Sequence, residues 1–111
     1  TGDMDIWIQR TPDNAARVEK ALADFGFRGL GITAQDLLED KVIQLGMPPV
    51  RIDLMTELDG LTPDEVWNGR AAGRFGDVPV FFIGREAFIR NKRALGRHKD
   101  LADLEALGEK V

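Results

Sequence analysis

The chain has 111 residues, of which 43% are hydrophobic and 31% are charged, and its formal net charge at pH 7 is −4. This length predicts one domain over residues 1–111, and no apolar run approaches the length of a membrane span. The chain has no cysteine, which excludes disulfides and thiolate zinc sites and is typical of a cytoplasmic protein. The acidic balance argues against a surface that generally coats nucleic acid.

The charge is unevenly distributed along the chain. Residues 85–99, REAFIRNKRALGRHK, carry six Lys or Arg and one acid, so this segment is +5 and the remainder is −9, which gives the net −4. Such segregation predicts an acidic portion suited to a metal ion and a basic helix suited to phosphate.

Hydrophobic spacing predicts a strand and then a helix at the N-terminus. Residues 3–9 alternate between polar and apolar, which predicts a half-buried strand whose core face carries Met4, Ile6 and Ile8. Thr11-Pro12 is typical of a helix start, and apolar residues at helical spacing, Phe25 among them, continue this helix to Gly26.

The middle of the chain predicts shorter elements. A loop over 28–33 is expected before a short helix near 34–39 that Thr33 caps. We then expect a strand over 41–45, a turn at 46–49 and a second alternating strand over 50–58.

The C-terminal half predicts a helix, a strand and two further helices. Thr62-Pro63-Asp64-Glu65 is a capping box that opens a short helix. Residues 71–77 are interpreted as a flexible connection, and residues 78–83, apolar on both faces, as a covered strand with Pro79 at its start or on an edge. A basic helix is expected over 85–95, ended by Gly96, and a final helix over 100–107 that buries Leu101, Leu104 and Leu107. The fold class is therefore α/β (α+β), with helices packed on a small mixed sheet.

Three acids are candidate metal ligands. Asp3 and Asp5 lie on the polar face of the first strand, and Asp53 lies on the polar face of the strand over 50–58. If the two strands are neighbours, the carboxylates converge, and hard oxygen ligands of this kind suit Mg²⁺ or Mn²⁺. The alternative is an acidic surface paired with Arg10 and Arg51.

Lys92 is the candidate phosphate ligand of the basic helix. On a helical projection it falls among Phe88, Ile89 and Leu95, whereas Arg90 and Arg93 lie on the opposite side. Its ammonium either snorkels to the rim or points into a site as a phosphate-binding charge. Arg97 and Lys99 would extend the same basic edge.

Other polar and aromatic residues have simpler interpretations. His98 is interpreted as a surface residue rather than a general base, and Asp100 and Asp103 as acids that offset the dipole of the final helix. Trp7 and Trp67 are interpreted as packing residues. The sequence has no glycine-rich phosphate loop and no serine or cysteine nucleophile motif.

Three fragments, TGDMDIWI, PPVRIDLMTELDG and IRNKRALGRHKDLADLEAL, together resemble the nucleotidyltransferase-like proteins of the DNA polymerase β superfamily. The nearest branch is similar to small bacterial nucleotidyltransferases that include toxins of abortive-infection toxin–antitoxin systems. The resemblance implies that a D-x-D strand and a third acid hold two divalent metals, and these positions are Asp3, Asp5 and Asp53. It also implies that Lys92, within a K-x4-R-x-K-D-x2-D signature, lies near the nucleotide phosphates.

The resemblance further implies transfer of a nucleoside monophosphate from an NTP to an acceptor hydroxyl, with Mg²⁺ or Mn²⁺ as cofactor. The acceptor would be tRNA or another RNA, a protein or a small molecule, and an antitoxin would be a possible partner. Because the family places a glycine-rich motif before the D-x-D strand, these residues are expected to be the C-terminal part of such a domain.

Two other functions are compatible with the sequence. One is a non-catalytic nucleotidyltransferase-like module that holds nucleic acid or protein on the basic helix within 85–99. The other is a dimerisation domain with an exposed sheet edge, which would form a homodimer. No membrane partner is expected.

Overall fold

The structure is a computed structural model that describes residues 3–27, 30–47 and 50–110, apart from the side chains of Asp3 and Val50. It consists of helices and small sheets, which confirms the predicted mixture of α and β elements. The chain divides into two compact units, an N-terminal unit, Thr1–Glu57, and a C-terminal unit, Leu58–Val111.

The N-terminal unit contains a three-stranded mixed sheet. Its strands are β1 (Asp3–Trp7), β2 (Ile43–Met47) and β3 (Val50–Met55), in the order β1-β3-β2. The central strand, β3, runs parallel to β1 and antiparallel to β2. The predicted mixed sheet is therefore confirmed, and the two strands that carry the candidate metal ligands are neighbours.

Helix α1 (Pro12–Leu22) begins as the sequence predicts. The Thr11 side chain accepts a hydrogen bond from the Asn14 backbone N–H, and Pro12 occupies the first turn. The helix was expected to reach Gly26, where the backbone does leave the helical region, and to carry Phe25 on its apolar face; the burial of Phe25 is wrong. A π-helical segment, Ala23–Phe27, follows α1, Gly26 has a φ of 106°, and the Phe25 side chain is 76% exposed. Because this segment departs from helical periodicity, the spacing no longer predicts which side chains are buried.

The core of the N-terminal unit lies on one face of the sheet. Its buried members come from β1, β2, β3, α1 and a short 3₁₀ helix, Asp36–Leu38, and they are Ile8, Ala15, Leu37, Leu45 and Leu54. The residue directly before the 3₁₀ helix is Gln35, which makes no capping bond; Thr33, the predicted cap of a helix near 34–39, lies two residues earlier, and its hydroxyl accepts from the Asp36 backbone N–H. Met4 and Ile6, predicted on the core face, remain 37% and 38% exposed, so this face is only partly covered along β1.

The β2 and β3 boundaries differ from the predicted ones. Gly46 and Met47 were assigned to a turn, yet they pair with Arg51 and Val50 as the end of β2. The other half of that predicted turn, residues 48 and 49, lies outside the described residues. β3 ends at Met55 rather than continuing to residue 58.

The C-terminal unit begins with helix α2 (Pro63–Asn68) and a β-hairpin. The capping box of α2 is confirmed, because the Thr62 hydroxyl accepts from the Glu65 backbone N–H and the Glu65 carboxylate accepts from the Thr62 backbone N–H. The hairpin consists of β4 (Ala71–Phe75) and β5 (Val78–Phe82), joined at Gly76 and Asp77. The flexible connection expected over 71–77 is therefore wrong.

Strand β5 is not covered on both faces as its apolar sequence suggested. Val78, Phe81 and Phe82 are 59%, 59% and 48% exposed in this two-stranded sheet. A Cβ on Gly73 would lie 2.7 Å from the Phe82 ring, so the ring occupies the space above the glycine. A two-stranded sheet has two edges, which is compatible with Pro79 in β5.

Two helices complete the C-terminal unit. The predicted basic helix is confirmed as α3 (Arg85–Leu95), which Gly96 ends in the left-handed conformation with a φ of 63°. The last helix, α4 (His98–Ala106), begins two residues before the predicted start; it buries Leu104, but Leu107 is 38% exposed rather than buried. None of the helices in the described residues has the length and apolar character needed to cross a membrane.

Candidate functional site

The acidic face of the N-terminal sheet carries the predicted metal ligands. Asp5 and Asp53 are directly paired in the register between β1 and β3, and Asp3 is paired with Arg51. Paired residues of parallel strands present their side chains on the same face, with the strands about 4.8 Å apart. The side chain of Asp5 is exposed, that of Asp53 is nearly buried, and that of Asp3 lies outside the described residues.

Asp53 has a cationic partner on its own strand. Arg51 Nε lies 2.9 Å from Asp53 Oδ1, and Arg51 Nη2 donates to Asp53 Oδ2 at 3.1 Å. The guanidinium thus contacts both carboxylate oxygens, in a pair that is largely shielded from solvent. The alternative pairing with Arg51 is therefore present, whereas Arg10 pairs with Glu57 at 2.9 Å.

The oxygen donors of this face suit a hard divalent cation. Carboxylates are the ligands that Mg²⁺ and Mn²⁺ prefer, so Asp5 and Asp53 fit such an ion chemically. Among the side chains that the structure describes, which include only these two of the three predicted ligands, no group of three acids or histidines is placed to hold a metal. A cation bound to Asp53 would compete with the Arg51 guanidinium.

Lys92 lies where the helical projection predicts, partly buried on α3. Its side chain is 18% exposed, whereas Arg90 and Arg93 are exposed. The Lys92 ammonium lies 3.3 Å from Asp100 Oδ1 and 3.1 Å from Asp103 Oδ2. Two acids of α4 therefore contact the ammonium of Lys92. The interpretation that this side chain only extends to the solvent-exposed rim does not account for these contacts.

Asp100 is the residue whose importance the sequence analysis missed. Its side chain is completely buried, and Oδ2 accepts from the Arg97 backbone N–H at 3.1 Å and from Arg97 Nε at 2.6 Å. Together with Lys92, these donors surround one carboxylate. The hydrogen bonds from Arg97 lower the pKa of Asp100 from 3.8 to about 2, although burial acts in the opposite direction. The available signal was an acid three residues after the residue that caps α4, the position that closes a capping box.

The remaining basic residues of 85–99 are mostly engaged within the C-terminal unit. Arg97, predicted to bind phosphate, contacts Asp100 with a side chain that is 54% exposed, while Lys99 and His98 lie exposed in the first turn of α4. Other partners are carbonyls and one carboxylate: Arg85 donates to Leu107 O, Arg90 to Gly60 O and Glu65, and Arg93 to Lys110 O. Much of the positive charge is therefore balanced or hydrogen-bonded internally.

Each tryptophan makes a polar or cationic contact in addition to its packing. Trp7 Nε1 donates to Thr56 O at 3.1 Å. The Arg70 guanidinium lies 3.7 Å from the centre of the Trp67 ring, and Phe81 meets the same tryptophan edge to face. These contacts stabilise the two units internally and leave the acidic face and Lys92 as the chemically distinctive groups.

Asp100 should make the protein less stable in acid. Its pKa is lower in the folded state, about 2, than its ordinary value of 3.8. The stabilisation is therefore complete above about pH 4 and is lost as the pH falls through about 2, because protonation removes the charge that Arg97 and Lys92 contact. Urea unfolding at a series of acidic pH values should show a steeper loss of stability in the wild type than in Asp100→Asn; equal slopes would contradict this assignment.

Comparison with known proteins identifies no relative. No protein-family model, curated protein or solved structure matches this chain. The chemistry proposed for it therefore rests on its own side chains and their placement.

Proposed function

We propose that this chain belongs to a metal-dependent nucleotidyltransferase with a nucleotidyltransferase-like fold, and that Asp3, Asp5 and Asp53 are its catalytic metal ligands. The observation that supports this most directly is the parallel, in-register pairing of β1 with β3. It pairs Asp5 with Asp53 on one face, and Asp3 is two residues before Asp5 in the same strand. Three acids from two adjacent strands are a suitable donor set for Mg²⁺ or Mn²⁺.

The proposed reaction transfers a nucleoside monophosphate from an NTP to an acceptor hydroxyl. A bond forms between the acceptor oxygen and the α-phosphorus, the bond from that phosphorus to the bridging oxygen breaks, and pyrophosphate leaves. Bound Mg²⁺ would supply charge neutralisation for the phosphates and a lower pKa for the attacking hydroxyl. Asp53, whose carboxylate is nearly buried, would itself accept the hydroxyl proton once a cation displaces Arg51 from it.

Cationic residues of α3 and the start of α4 are the proposed phosphate ligands. Lys92 is held at the junction of α3 and α4, and Arg97 and Lys99 follow at the start of α4. Their cationic groups suit the phosphates of an NTP, with Lys92 as the principal ligand. We propose tRNA or another RNA as acceptor, with a protein or small molecule as the other classes, and a toxin–antitoxin context in which an antitoxin is the partner.

The proposal is tested by the thermal stability of the protein in the presence of Mn²⁺ and an NTP. A ligand that binds only the folded state raises the melting temperature in a saturable way. We expect such a rise in the wild type and its loss in Asp5→Asn and Asp3→Asn. The matched control is Asp40→Asn, because Asp40 is an exposed acid outside the β-sheet. An equal rise in all four proteins would contradict the metal site.

Arg51→Gln should increase the affinity for Mn²⁺. The guanidinium contacts both oxygens of Asp53, so its removal frees a carboxylate that the cation would otherwise have to share. An ion pair that is partly shielded from solvent contributes about 1 kcal/mol. Removing this competitor therefore predicts that Arg51→Gln binds Mn²⁺ roughly fivefold more tightly than the wild type. Electron paramagnetic resonance of free Mn²⁺ during a titration measures this directly. Weaker binding in Arg51→Gln would mean that Arg51 supports the metal site instead of competing with it.

A further inference from the structure

The two counter-ions of Lys92 differ sharply in their exposure to solvent. Asp100 is completely buried, whereas the side chain of Asp103 is 51% exposed. Both contact the same ammonium, at 3.3 Å and 3.1 Å. An exposed ion pair is worth little because water and salt screen it, whereas removing one partner of a buried pair leaves an uncompensated charge. The contact with Asp103 is therefore far easier to break than the contact with Asp100.

The geometry also limits what Lys92 can offer an anion. A lysine ammonium has three N–H donors; Lys92 donates one to Asp100 and lies within ion-pair distance of Asp103. Together with Arg97, which contacts Asp100, the four side chains carry no net charge. An anion that approached this neutral group would gain little unless it replaced one of the carboxylates.

We infer that Asp100 is the permanent counter-ion that positions Lys92, and that Asp103 is an exchangeable counter-ion which a phosphate oxygen of a polyphosphate replaces. This inference rests on the proposed function for the class of ligand. A polyphosphate carries more negative charge than one carboxylate, so it competes with Asp103, whereas orthophosphate competes less well. Competition with Asp103 thus makes Lys92 select di- and triphosphates over singly phosphorylated molecules.

The exchange can be measured on the chain without metal or turnover. The chain has five lysines, so ¹⁵N-lysine labelling gives few ammonium signals, and Lys92→Arg identifies the signal of Lys92. The probe is inorganic pyrophosphate, with orthophosphate as the comparison, titrated at low salt in mildly acidic solution. We expect the Lys92 signal of the wild type to shift with pyrophosphate and to shift less with orthophosphate.

Asp103→Asn should bind pyrophosphate about two- to fivefold more tightly than the wild type, because the competing carboxylate is gone. It should also discriminate less between pyrophosphate and orthophosphate. The matched control is Glu105→Gln, which removes the same charge from an exposed acid of the same helix and should change the affinity by less than about twofold. The melting temperature without ligand should stay close to the wild-type value in both variants.

Two results would overturn the inference. One is equal affinity for pyrophosphate in Asp103→Asn and Glu105→Gln, which would reduce the effect to net charge. The other is a Lys92 signal that does not respond to pyrophosphate in any variant, which would make the contacts with α4 purely structural. The second result would also remove Lys92 from the proposed phosphate ligands. Neither result bears on Asp3, Asp5 and Asp53, whose role is measured by Mn²⁺ binding, so the metal site and the exchange at Lys92 fail separately.

Discussion

Asp100→Ala is expected to lower the free energy of unfolding by about 3 kcal/mol. The variant removes a completely buried carboxylate that accepts from the Arg97 backbone and side chain and contacts Lys92. The loss is large because the Arg97 backbone N–H loses its acceptor, while the partly buried Lys92 keeps only the exposed Asp103 as a counter-ion. Urea denaturation followed by circular dichroism at neutral pH measures the difference.

The matched control for this prediction is Asp103→Ala. It removes the other carboxylate that contacts Lys92, but from an exposed position, so we expect a change below about 1 kcal/mol. Similar losses in the two variants would show that burial of Asp100 does not decide its contribution. A negligible loss in Asp100→Ala would show that the side chains around it rearrange without cost.

Under the proposed function, Asp53→Asn is expected to reduce nucleotide transfer more than about a hundredfold while the fold remains intact. The amide cannot carry the charge that a divalent cation requires, nor can it accept the proton of the attacking hydroxyl. The substitution keeps the shape of a nearly buried side chain and removes its repulsion with Asp5, which offsets part of the lost contact with Arg51. Incorporation of a labelled NTP in the presence of Mg²⁺ measures transfer.

The control for Asp53→Asn is a comparison of melting temperatures without metal. A value within a few degrees of the wild type would assign the lost activity to chemistry and not to unfolding. Transfer at the wild-type rate would refute the role of Asp53. A full loss of activity together with unchanged Mn²⁺ affinity would restrict Asp53 to proton transfer.

Strands β1 and β3 of the N-terminal unit could be predicted because their alternation is unambiguous. Asp5 and Asp53 each interrupt an apolar pattern at a single polar position, which fixed the face on which they lie. The parallel pairing of β1 with β3 could only be assumed, because alternation gives no information on which strands are neighbours. The sequence offered Arg51, two residues before Asp53, as an ion-pair partner. It could not decide between this ion pair and a metal site.

The hairpin of the C-terminal unit was missed because one of its strands has few strand-forming residues. β4 has the sequence AAGRF, and alanine and glycine disfavour strands in isolation. The usable signal was Gly76-Asp77, a two-residue loop between β4 and β5. Phe82 compensates for the glycine, since its ring covers Gly73, and such a cross-strand contact is invisible to local propensity.

Asp100 was misjudged for a different reason. A helix-capping acid and a buried ion-pair acceptor look identical in sequence, and only burial separates them. The helical projection of α3 predicted that Lys92 lies among apolar residues. It could not identify an acid on the next helix as the ion-pair partner of Lys92. Local patterns therefore located the cation and left its counter-ions to be found in the structure.

The pairing of β1 with β3 makes the position of Asp53 sensitive to the number of residues that precede it in β3. Side chains alternate along β3, so deletion of one residue ahead of Asp53 within that strand would move Asp53 to the position of Ile52 and Leu54 to the position of Asp53. A carboxylate would then enter the hydrocarbon interior and a leucine would replace it among the acids. Single-residue insertions and deletions in this strand should therefore be rarer among related sequences than changes of two residues. A change of two residues keeps Asp53 on the acidic face, although it alters the residue of β1 with which it is paired.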